Sequence, residues 1–464
     1  MKGYYDIIKE KLDNNFDIIY RKLKADSGFI YVIFVEQLCN EQLIDQTIIS
    51  PVNDMKQPIK HLKSIVPALS SFSLIHVESL DSTIIKILSG DVAIVSDFDD
   101  TIYVVKSFTE TKRKVMIPPV ENVTKGPRAG FTETVTDNLA LIRKYIVTPN
   151  FKTEKLILGE SSNTTVIFMF IDGIAPQKLI KHVRDKLKTI EVPFILDSNY
   201  IGEQFKKNKS LFPTEGYSEK PDIVAANLFQ GKIAVMVQGS PSALILPYFF
   251  TEAFQNPDDY YLNRFYASST RILRYLAFFV ALSMPGIFIA LTTHHFAFIP
   301  LRFLIRLTSS RAGIPLPTSL ELSLMIFFFL LAREAALRLP QAIGPSLSIV
   351  AGLVLGQTTV EAGVTSQITV VIAGIYAICT FINTRFYPAT VYWSYGLLFA
   401  STIFGFPGYY FGFIAIISHV TNLESAGFPY LYPFATKADF NFKDIIIRGQ
   451  LKDISKPLFK ENKS

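Results

Sequence analysis

The distribution of apolar residues divides the chain into two parts. Up to about Asn263, charged and apolar residues are mixed as in an ordinary globular domain, whereas from Ile272 to Thr421 the chain is apolar, aromatic and rich in glycine. The change falls near Arg271, where we place a domain boundary. Several runs in the second part approach the roughly 20 apolar residues that a helix needs to cross a hydrocarbon core of about 30 Å. They cover residues 273–291, 320–339, 342–356, 367–382 and 390–420.

These runs predict an α-helical multi-pass transmembrane domain with four complete crossings and one or two partial ones. The run at 390–420 is long enough for two short passes and is broken by Gly405, Pro407 and Gly408. Broken segments of this kind line ion and solute paths in many transporters, and they also occur as plain hinges or packing sites.

Basic residues beside the runs predict the orientation. If the spans alternate and 390–420 is a hairpin, five arginines face the cytoplasm together with the basic C-terminal tail. The far side then carries Arg302, Arg306 and Arg311, against the positive-inside rule. We interpret 296–307, which holds two of these, as an interfacial or re-entrant helix with snorkelling arginines. The five cytoplasmic arginines are Arg271, Arg274, Arg333, Arg338 and Arg385.

The first part of the chain predicts a duplicated α/β fold. A continuous apolar run at 28–36 is followed by a polar helix, and a similar run at 165–173 is followed by a helix at 176–187. A second pair of segments, 88–94 and 228–235, matches around Gly90 and Gly231. Each of these glycines is predicted to end a helix and turn the chain into a strand.

The predicted fold is therefore an α/β soluble N-terminal region of two related subdomains followed by the transmembrane domain. We divide the chain into subdomain 1 (1–125), a linking loop and helix (126–150), subdomain 2 (151–263), the transmembrane domain (264–421) and a basic cytoplasmic tail (422–464). The first residues lack the apolar core of a signal peptide, so the N-terminal region is expected to stay cytoplasmic.

Composition supports this division and excludes some partners. Hydrophobic residues make up 49% of the 464 residues and the mean hydropathy is +0.29, high for a soluble protein. The net charge is +6, but the basic clusters are not interleaved with aromatic residues, so we expect no nucleic-acid binding and instead contact with anionic membrane lipid. The two cysteines, Cys39 and Cys379, lie in different halves and predict neither a disulfide nor a metal site.

The sequence carries no motif for catalysis. It lacks a phosphate-binding loop, a nucleophile elbow, a zinc-protease motif and a dinucleotide fingerprint, so we expect no enzyme and no cofactor. The acidic turn at 96–100 lacks the other ligands of a calcium loop and is interpreted as solvated. His294 and His295 are either a titrating or metal-binding pair or a span end that meets solvent.

Ionisable and polar residues in or beside the apolar runs are candidates for a pore or gate, because their burial in a membrane is costly. Glu334 and Arg338 are spaced to form an ion pair at a helix end. Glu361 lies in a polar, glycine-flanked stretch and is either an exposed loop carboxylate or part of an acidic ring in a symmetric pore. The full candidate set is Glu321, Arg333, Glu334, Arg338, Glu361, Asn383 and Arg385.

Two further sets are candidates for packing and contact. The small-residue pairs Gly352/Gly356 and Gly408/Gly412 predict helix-packing seams. The loop at 126–134 is either a site for an anion or a partner carboxylate through Arg128, or a structural joint between the halves. The candidates for subdomain or subunit contact are Arg128, Phe131, Glu133, Arg143 and Asp222.

Several motifs together resemble the A-type subunit of the bacterial spore germinant receptors. In the first part they are GPRAGFTE at 126–133, EKPD at 219–222 and DDYY at 258–261. In the second part they are REAALRLP at 333–340, IG at 343–344, GLVLGQ at 352–357 and VEAG at 360–363. The resemblance runs over most of the chain, although Lys220 stands where the family more often has arginine.

The resemblance implies a multi-pass protein of the spore inner membrane that acts with a permease-like B subunit and a lipoprotein C subunit. It implies a homo-oligomeric ring that forms a nutrient-gated ion channel and triggers germination, with nutrient recognition mainly in the B subunit. The alternatives are a non-conducting scaffold subunit, of the receptor or of the dipicolinate release machinery, and a secondary transporter of a small solute.

Overall fold

The first part of the chain holds two five-stranded sheets, and the second part is helical. The computed structural model describes residues 3–55, 58–69, 74–106, 121, 123–206, 210–339, 352, 354, 356–434 and 444–459. The strands of the first sheet are β1 (Ile18–Ala25), β2 (Gly28–Val35), β3 (Leu74–His76), β4 (Val92–Ser96) and β5 (Tyr103–Val105). Those of the second are β6 (Phe151–Leu158), β7 (Thr164–Ile171), β8 (Gly216–Ser218), β9 (Ile233–Val237) and β10 (Ala243–Leu246), and a small ribbon pairs β11 (Glu424–Ser425) with β12 (Phe428–Pro429).

Helices surround both sheets and make up most of the second part. Those of the first part are α1 (Tyr4–Lys11), α2 (Glu41–Ile44), α3 (Ser50–Asn53), α4 (Leu80–Leu88), α5 (Val135–Arg143), α6 (Gln177–Lys188), α7 (Ser198–Phe205), α8 (Pro221–Phe229) and α9 (Asp258–Tyr261). Those of the second part are α10 (Arg264–Ile289), α11 (Leu301–Ser310), α12 (Thr318–Arg338), α13 (Gln367–Ile382), α14 (Tyr387–Phe404), α15 (Phe406–Thr421) and α16 (Leu451–Ile454). Residues 356–361 are also helical. Short 3₁₀ or π turns lie at Glu36–Leu38, Asp45–Ile49, Leu62–Ala68, Phe250–Phe254, Ala290–His294, Phe296–Phe298 and Thr384–Phe386.

The two sheets share one strand order. The first runs β1-β2-β4-β5-β3 and the second β6-β7-β9-β10-β8, and every pairing is antiparallel. The α/β organisation of the first part is thus confirmed, and the predicted repeat appears as this common topology.

The central strands are apolar without alternation because both faces of each sheet are covered. In β2, Tyr31, Ile33 and Val35 pack on one face with α1 and α4, whereas Ile30, Val32 and Phe34 pack on the other face. Strand β7 is divided in the same way between a core with α6 and α7 and a core with α5 and α8.

Matching turns lead from α4 into β4 and from α8 into β9. Gly90 and Gly231 have φ angles of +99° and +91°, in the left-handed region that favours glycine. In the first turn the Asp91 N–H donates to Lys86 O at 2.9 Å, and in the second the Lys232 N–H donates to Asn227 O at 3.1 Å. Both are Schellman turns, as the positions of the glycines predict.

A buried ion pair joins the subdomains. Arg143, at the end of α5, donates to both carboxylate oxygens of Asp17 at 2.8 Å, and both side chains are fully buried. Asp17 also accepts a hydrogen bond from the Thr153 hydroxyl of β6 at 2.8 Å. The helix predicted within the linking segment 126–150 is α5, and its Arg143 joins the two subdomains.

Helix α10 begins where the composition changes. The Asn263 side chain caps it by accepting from the Phe265 N–H at 2.9 Å. Among the described residues, one helix is long and apolar enough to cross a membrane, Arg264–His294. A second candidate arises only if Gln367–Ile382 and Thr384–Phe404, which meet at 105°, are counted as one span. The four predicted crossings are not confirmed, and the run at 342–356 lies largely outside the described residues.

The run at 390–420 is a helical hairpin, α14 and α15, broken at Gly405 with a φ of +62°. A Cβ atom on Gly408 would lie 2.2 Å from Ala400 O, and one on Gly412 would lie 2.8 Å from Leu397 Cδ2. These two glycines therefore allow close packing of α14 against α15. A Cβ on Gly356 would meet Val370 at 3.5 Å, and one on Gly352 would meet nothing among the described atoms, so its packing role stays a prediction.

Residues after α15 fold back onto the second sheet. The Ser425 hydroxyl bridges Thr214 O at 2.6 Å and the Tyr248 N–H at 2.8 Å, and the Leu458 N–H donates to Gln230 O at 2.8 Å. The segment predicted to be a basic tail is thus, where it is described, part of the folded body.

Candidate functional site

Three motifs of the first part meet at one place beside α8. The Lys220 ammonium, fully buried, donates to the Pro127 carbonyl, and the Tyr261 hydroxyl donates to Asp222. Gly126 has a φ of +115°, and a Cβ there would lie 2.6 Å from the ring of Tyr261. The segments GPRAGFTE, EKPD and DDYY are therefore one contact in space, although they are far apart in sequence.

Asp259, the second residue of the DDYY motif, binds two arginines of α10. Its carboxylate is 2% exposed and accepts from Arg271 Nε at 3.1 Å and from Arg274. Arg271 also donates to Asp444 Oδ1 at 2.7 Å, so the returning C-terminal segment completes the cluster. Burial raises the pKa of the Asp444 carboxyl, while the hydrogen bonds from Arg271 and Tyr260 oppose that rise.

A second ionic contact lies at the corner between α13 and α14. Arg385 donates to Glu121 Oε1 at 2.8 Å and to the Tyr248 hydroxyl at 2.7 Å. The other oxygen of Glu121 accepts from the Ser218 hydroxyl at 2.6 Å, at the end of β8. Asn383, in the same corner, donates to Arg274 O at 2.8 Å and so connects the two contacts. We call these residues the junction cluster: Glu121, Asp259, Arg271, Arg274, Asn383, Arg385 and Asp444.

An aromatic core lies beneath the junction cluster. The Phe386 ring packs 4.8 Å from Phe254 of the first part and 4.8 Å from Phe278 of α10. Phe254 also stacks on Tyr275 at 3.8 Å. Apolar packing and ion pairs thus occur together where the second subdomain meets α10 and the corner between α13 and α14.

Two cavities flank Arg385 among the described residues. The larger has a volume of about 590 Å³ and is lined mainly by α8, the 252–261 segment and α16. The smaller has a volume of about 370 Å³ and reaches Glu121, Arg274 and Asn383. Arg385 is thus bordered by open space on two sides.

Lys232 lies behind Glu252, one of the residues that line the larger cavity. Its ammonium is 1% exposed and pairs with Glu252, which in turn accepts from the Phe249 N–H at 3.1 Å. Burial lowers the pKa of Lys232, although Glu252 opposes the change.

The predicted pore candidates separate into three places. Asn383 and Arg385 lie in the junction cluster. Near the same end, Arg333 stacks 3.0 Å above the Tyr387 ring, and Glu334 pairs with Arg338 at 2.6 Å on an exposed surface, with the i, i+4 spacing that predicted it. Glu321 and Glu361 lie at the opposite end of the helices.

Glu321 and Glu361 differ in environment. Glu321 is fully buried and accepts from Arg311 at 3.3 Å and from the Ser366 N–H at 3.1 Å. Glu361 is exposed and accepts from Gln357 at 2.9 Å. His294 and His295 also lie at this end, where they pack against Gly405. A pore role for any of these residues stays a prediction.

The contact candidates lie within the first part. The Phe131 N–H donates to Glu219 O at 2.8 Å, and Glu133 O accepts from the Gly239 N–H at 2.8 Å. Arg143 forms the joint with Asp17, Asp222 lies beside Tyr261, and Arg128 is exposed. The loop at 126–134 is thus held to subdomain 2. These contacts fit its interpretation as a structural joint, and an anion site at Arg128 stays a prediction.

Sequence reasoning missed the acidic half of the junction cluster. Glu121, Asp259 and Asp444 had no assigned partner, although Asp259 belongs to the quoted DDYY motif. The available signal was the row of arginines beside the first apolar run, because arginines buried at a domain boundary need carboxylate partners.

Comparisons with known proteins agree with the motifs. The model of the Bacillus/Clostridium GerA spore germination protein family matches residues 6–458. Spore germination protein KA of Bacillus subtilis is 33% identical over 95% of this chain and 82% of its own length, and spore germination protein A1 of the same organism is 30% identical over 98% and 95%.

A solved structure is also similar, the N-terminal domain of the A subunit of the Bacillus megaterium spore germinant receptor GerK3. It is 27% identical, covers 53% of this chain and 94% of its own, and has a TM-score of 0.41. The family match extends over nearly the whole chain and includes every segment of the junction cluster. The resemblance carried by the motifs is confirmed, and the chain belongs to the GerA family of spore germination proteins.

Proposed function

We propose that this protein is the A subunit of a nutrient receptor in the spore inner membrane and that copies of it form a gated ion path. In this proposal α10 and the helices after it cross the membrane, the α/β region lies in the cytoplasm, and no catalytic step is involved. A permease-like B subunit and a lipoprotein C subunit complete the receptor. The relatives' roles in spore germination support the proposal.

The observation that carries it is the junction cluster. Arg271 of α10 is fully buried and Arg385, between α13 and α14, is one-third exposed, and both are paired with carboxylates outside the helices. Removal of one partner of a buried ion pair lowers the stability of a fold by about 3–5 kcal/mol, because the other charge is left buried without compensation. The α/β region and the helices therefore move together, which is what a receptor needs if a signal on one side is to change a gate on the other.

Glu361 is our candidate for the ion path itself. Its carboxylate is exposed at the end of the helices away from the junction cluster, and Glu321 beside it is fully engaged. In a ring of copies, exposed carboxylates at one level attract cations to a common axis.

A non-conducting scaffold is the second candidate. It is favoured by the internal contacts of Asn383, Arg385 and Glu321, because three of the polar or charged candidates then contribute to packing rather than to a path.

The test is potassium release from spores after addition of nutrient. We expect Arg385→Gln to slow release or to cause release without nutrient, because Glu121 loses its partner. The matched control is Arg338→Gln, which removes an exposed pair and is expected to leave release unchanged. Unchanged release in Arg385→Gln spores with normal protein abundance would remove the junction cluster from the mechanism.

A separate measurement distinguishes the channel from the scaffold. The purified chain in a planar bilayer is expected to conduct, and Glu361→Gln is expected to reduce its preference for cations. A chain that reaches the bilayer and stays electrically silent supports the scaffold.

A further inference from the structure

The segment between α10 and α12 presents apolar side chains to the outside. It comprises the turn Phe296–Phe298 and helix α11, and only Leu307 of this helix is buried among the helices. Five of its large apolar side chains are about half exposed or more: Phe296 (57%), Phe298 (73%), Leu301 (70%), Phe303 (48%) and Ile305 (55%). A water-facing helix would not carry such a set.

Two arginines occupy a separate arc of the same helix. At 100° per residue, Arg302 and Arg306 lie about 40° apart and roughly opposite Leu304 and Leu307. Both are exposed, and neither has an ion-pair partner among the described residues. The helix therefore has an apolar side that continues into the bundle and a basic side that is free to bind anions.

The segment is fixed to the bundle at its C-terminal end. Arg311 donates to Glu321 Oε1 at 3.3 Å, and the other oxygen of Glu321 accepts from the Ser366 N–H at 3.1 Å and the Thr369 hydroxyl at 3.2 Å. One carboxylate thus connects this segment to the first turns of α12 and α13.

Its location is set by the helix before it. Arg264–His294 has 31 residues and spans about 46 Å at 1.5 Å per residue. This matches the roughly 40–45 Å thickness of a bilayer with its headgroups. Since the junction cluster lies at the start of that helix, the segment begins at the level of the opposite headgroups.

We propose that residues 296–310 lie in the interface of the membrane leaflet opposite the α/β region. The apolar side chains enter the acyl layer to a depth of about 5–10 Å, and Arg302 and Arg306 bind lipid phosphates. This inference rests on the membrane location in the proposed function and adds a lipid-binding surface linked to α12 and α13 through Glu321. We choose lipid rather than a second copy as the occupant because the surface matches the boundary between headgroups and acyl chains. Two unpaired arginines, suited to phosphates, lie beside exposed aromatic rings, suited to acyl chains.

The test uses the full chain reconstituted in phosphatidylglycerol vesicles, with Cys39→Ser and Cys379→Ala as background. An environment-sensitive fluorophore is attached at Phe303→Cys, at Ser309→Cys on the polar arc, or at Leu276→Cys, which is 58% exposed on α10. We expect the probe at 303 to emit at shorter wavelength and to be quenched by nitroxides on lipid chains, whereas the probe at 309 is quenched by aqueous iodide.

The probe at 276 separates the two proposals. If 276 is quenched by lipid and 303 by iodide, the chain is in the membrane and the interfacial helix is refuted. If 276 is also quenched by iodide, the membrane location itself fails. If 303 is shielded from both quenchers, protein covers the segment and lipid is not the occupant.

The arginine contacts have their own test. Transfer of the 303 probe from phosphatidylcholine to phosphatidylglycerol vesicles is expected to shift its emission further to the blue, and inorganic phosphate in solution is expected not to reverse the shift. Arg302→Gln with Arg306→Gln removes the difference between the two lipids. If the difference persists in that variant, the arginines do not bind the headgroups.

Discussion

The two α/β subdomains share a strand order and a pair of glycine turns, but they are covered differently. In subdomain 1 the turn at Gly90 is contacted from within the same subdomain, since the Cys39 thiol donates to Gly90 O at 3.2 Å. In subdomain 2 the turn at Gly231 is covered by the C-terminal segment, where Leu458 bonds to Gln230 O and the Phe459 ring lies against Gly231. The two subdomains thus share one fold, and in the described part of the chain the second is joined to the helices more extensively than the first, which reaches them through Glu121 near its end.

The same difference extends to the ion pairs. Subdomain 1 is linked to its neighbour by Asp17, which pairs with Arg143. Subdomain 2 carries Asp259, which pairs with α10, and Ser218, which donates to Glu121 at the end of subdomain 1. Most of the contacts with the helices thus lie on one of the two related units. A duplicated domain can diverge in this way because its topology depends on apolar strands, while its partners depend on a few surface positions.

Removal of Arg143 tests the link between the subdomains and has the largest expected effect. Arg143→Met leaves Asp17 buried and unpaired, so we expect a loss of about 3–5 kcal/mol in the free energy of unfolding. Thermal unfolding of the detergent-solubilised chain, followed by circular dichroism, measures it. The control is Lys11→Met, which breaks an exposed pair with Asp81 and is expected to cost about 0–1 kcal/mol.

A double variant that also removes the charge of Asp17 separates the two contributions of Arg143 to stability. Asp17→Asn combined with Arg143→Met removes the uncompensated charge and is expected to recover part of the loss. If the double variant is as unstable as the single one, packing of the arginine on the Phe151 ring, 4.8 Å away, is the larger contribution.

The paired glycines give an intermediate effect. Gly90→Ala forces a Cβ into the left-handed region and is expected to cost about 1–2 kcal/mol. Gly231→Ala is expected to cost more, because its Cβ would lie 2.8 Å from Ile174 O and 3.2 Å from the Phe459 ring. The same unfolding experiment compares the two. Equal losses would mean that the C-terminal segment does not press on the second turn.

The smallest effect concerns the thiol that covers the first turn. Burial raises the pKa of Cys39 to about 12, with a further contribution from Asp91. The thiolate fraction at pH 8 is then roughly one in ten thousand, so alkylation of a Cys379→Ala chain should be slow and should rise about tenfold per pH unit.

The stability consequence has a definite sign. As pH rises above the ordinary thiol pKa of about 8.5, the unfolded chain releases its proton before the folded one, so stability falls. Alkylation at the rate of a free thiol at pH 8 would show that the Gly90 turn is open to solvent.

Much of the fold follows from local pattern. The strands at 28–36 and 165–173, the glycine turns, the helix at Gln367–Ile382 and the hairpin broken at Gly405 were all predicted, because each depends on a short run of residues and its ends. The Glu334–Arg338 pair was predicted for the same reason, as it lies within one helix.

The candidate site was predicted only in part. Asn383 and Arg385 were selected as polar residues beside an apolar run, but their partners were not found. Arg385 and Glu121 are 264 positions apart, and Arg271 and Asp444 are 173 apart. No local rule relates residues at such distances.

The sequence by itself determined two things about this protein. It fixed where an apolar helical part follows two related α/β units, because periodicity and composition act over tens of residues. It also fixed the family, through motifs spread along the chain. The tertiary structure decided which charges meet. Arginines at the start of α10 and after α13 are brought onto carboxylates of distant segments only when the second subdomain and the returning C-terminal chain pack against the helices, since an ion pair forms between neighbours in space rather than in sequence.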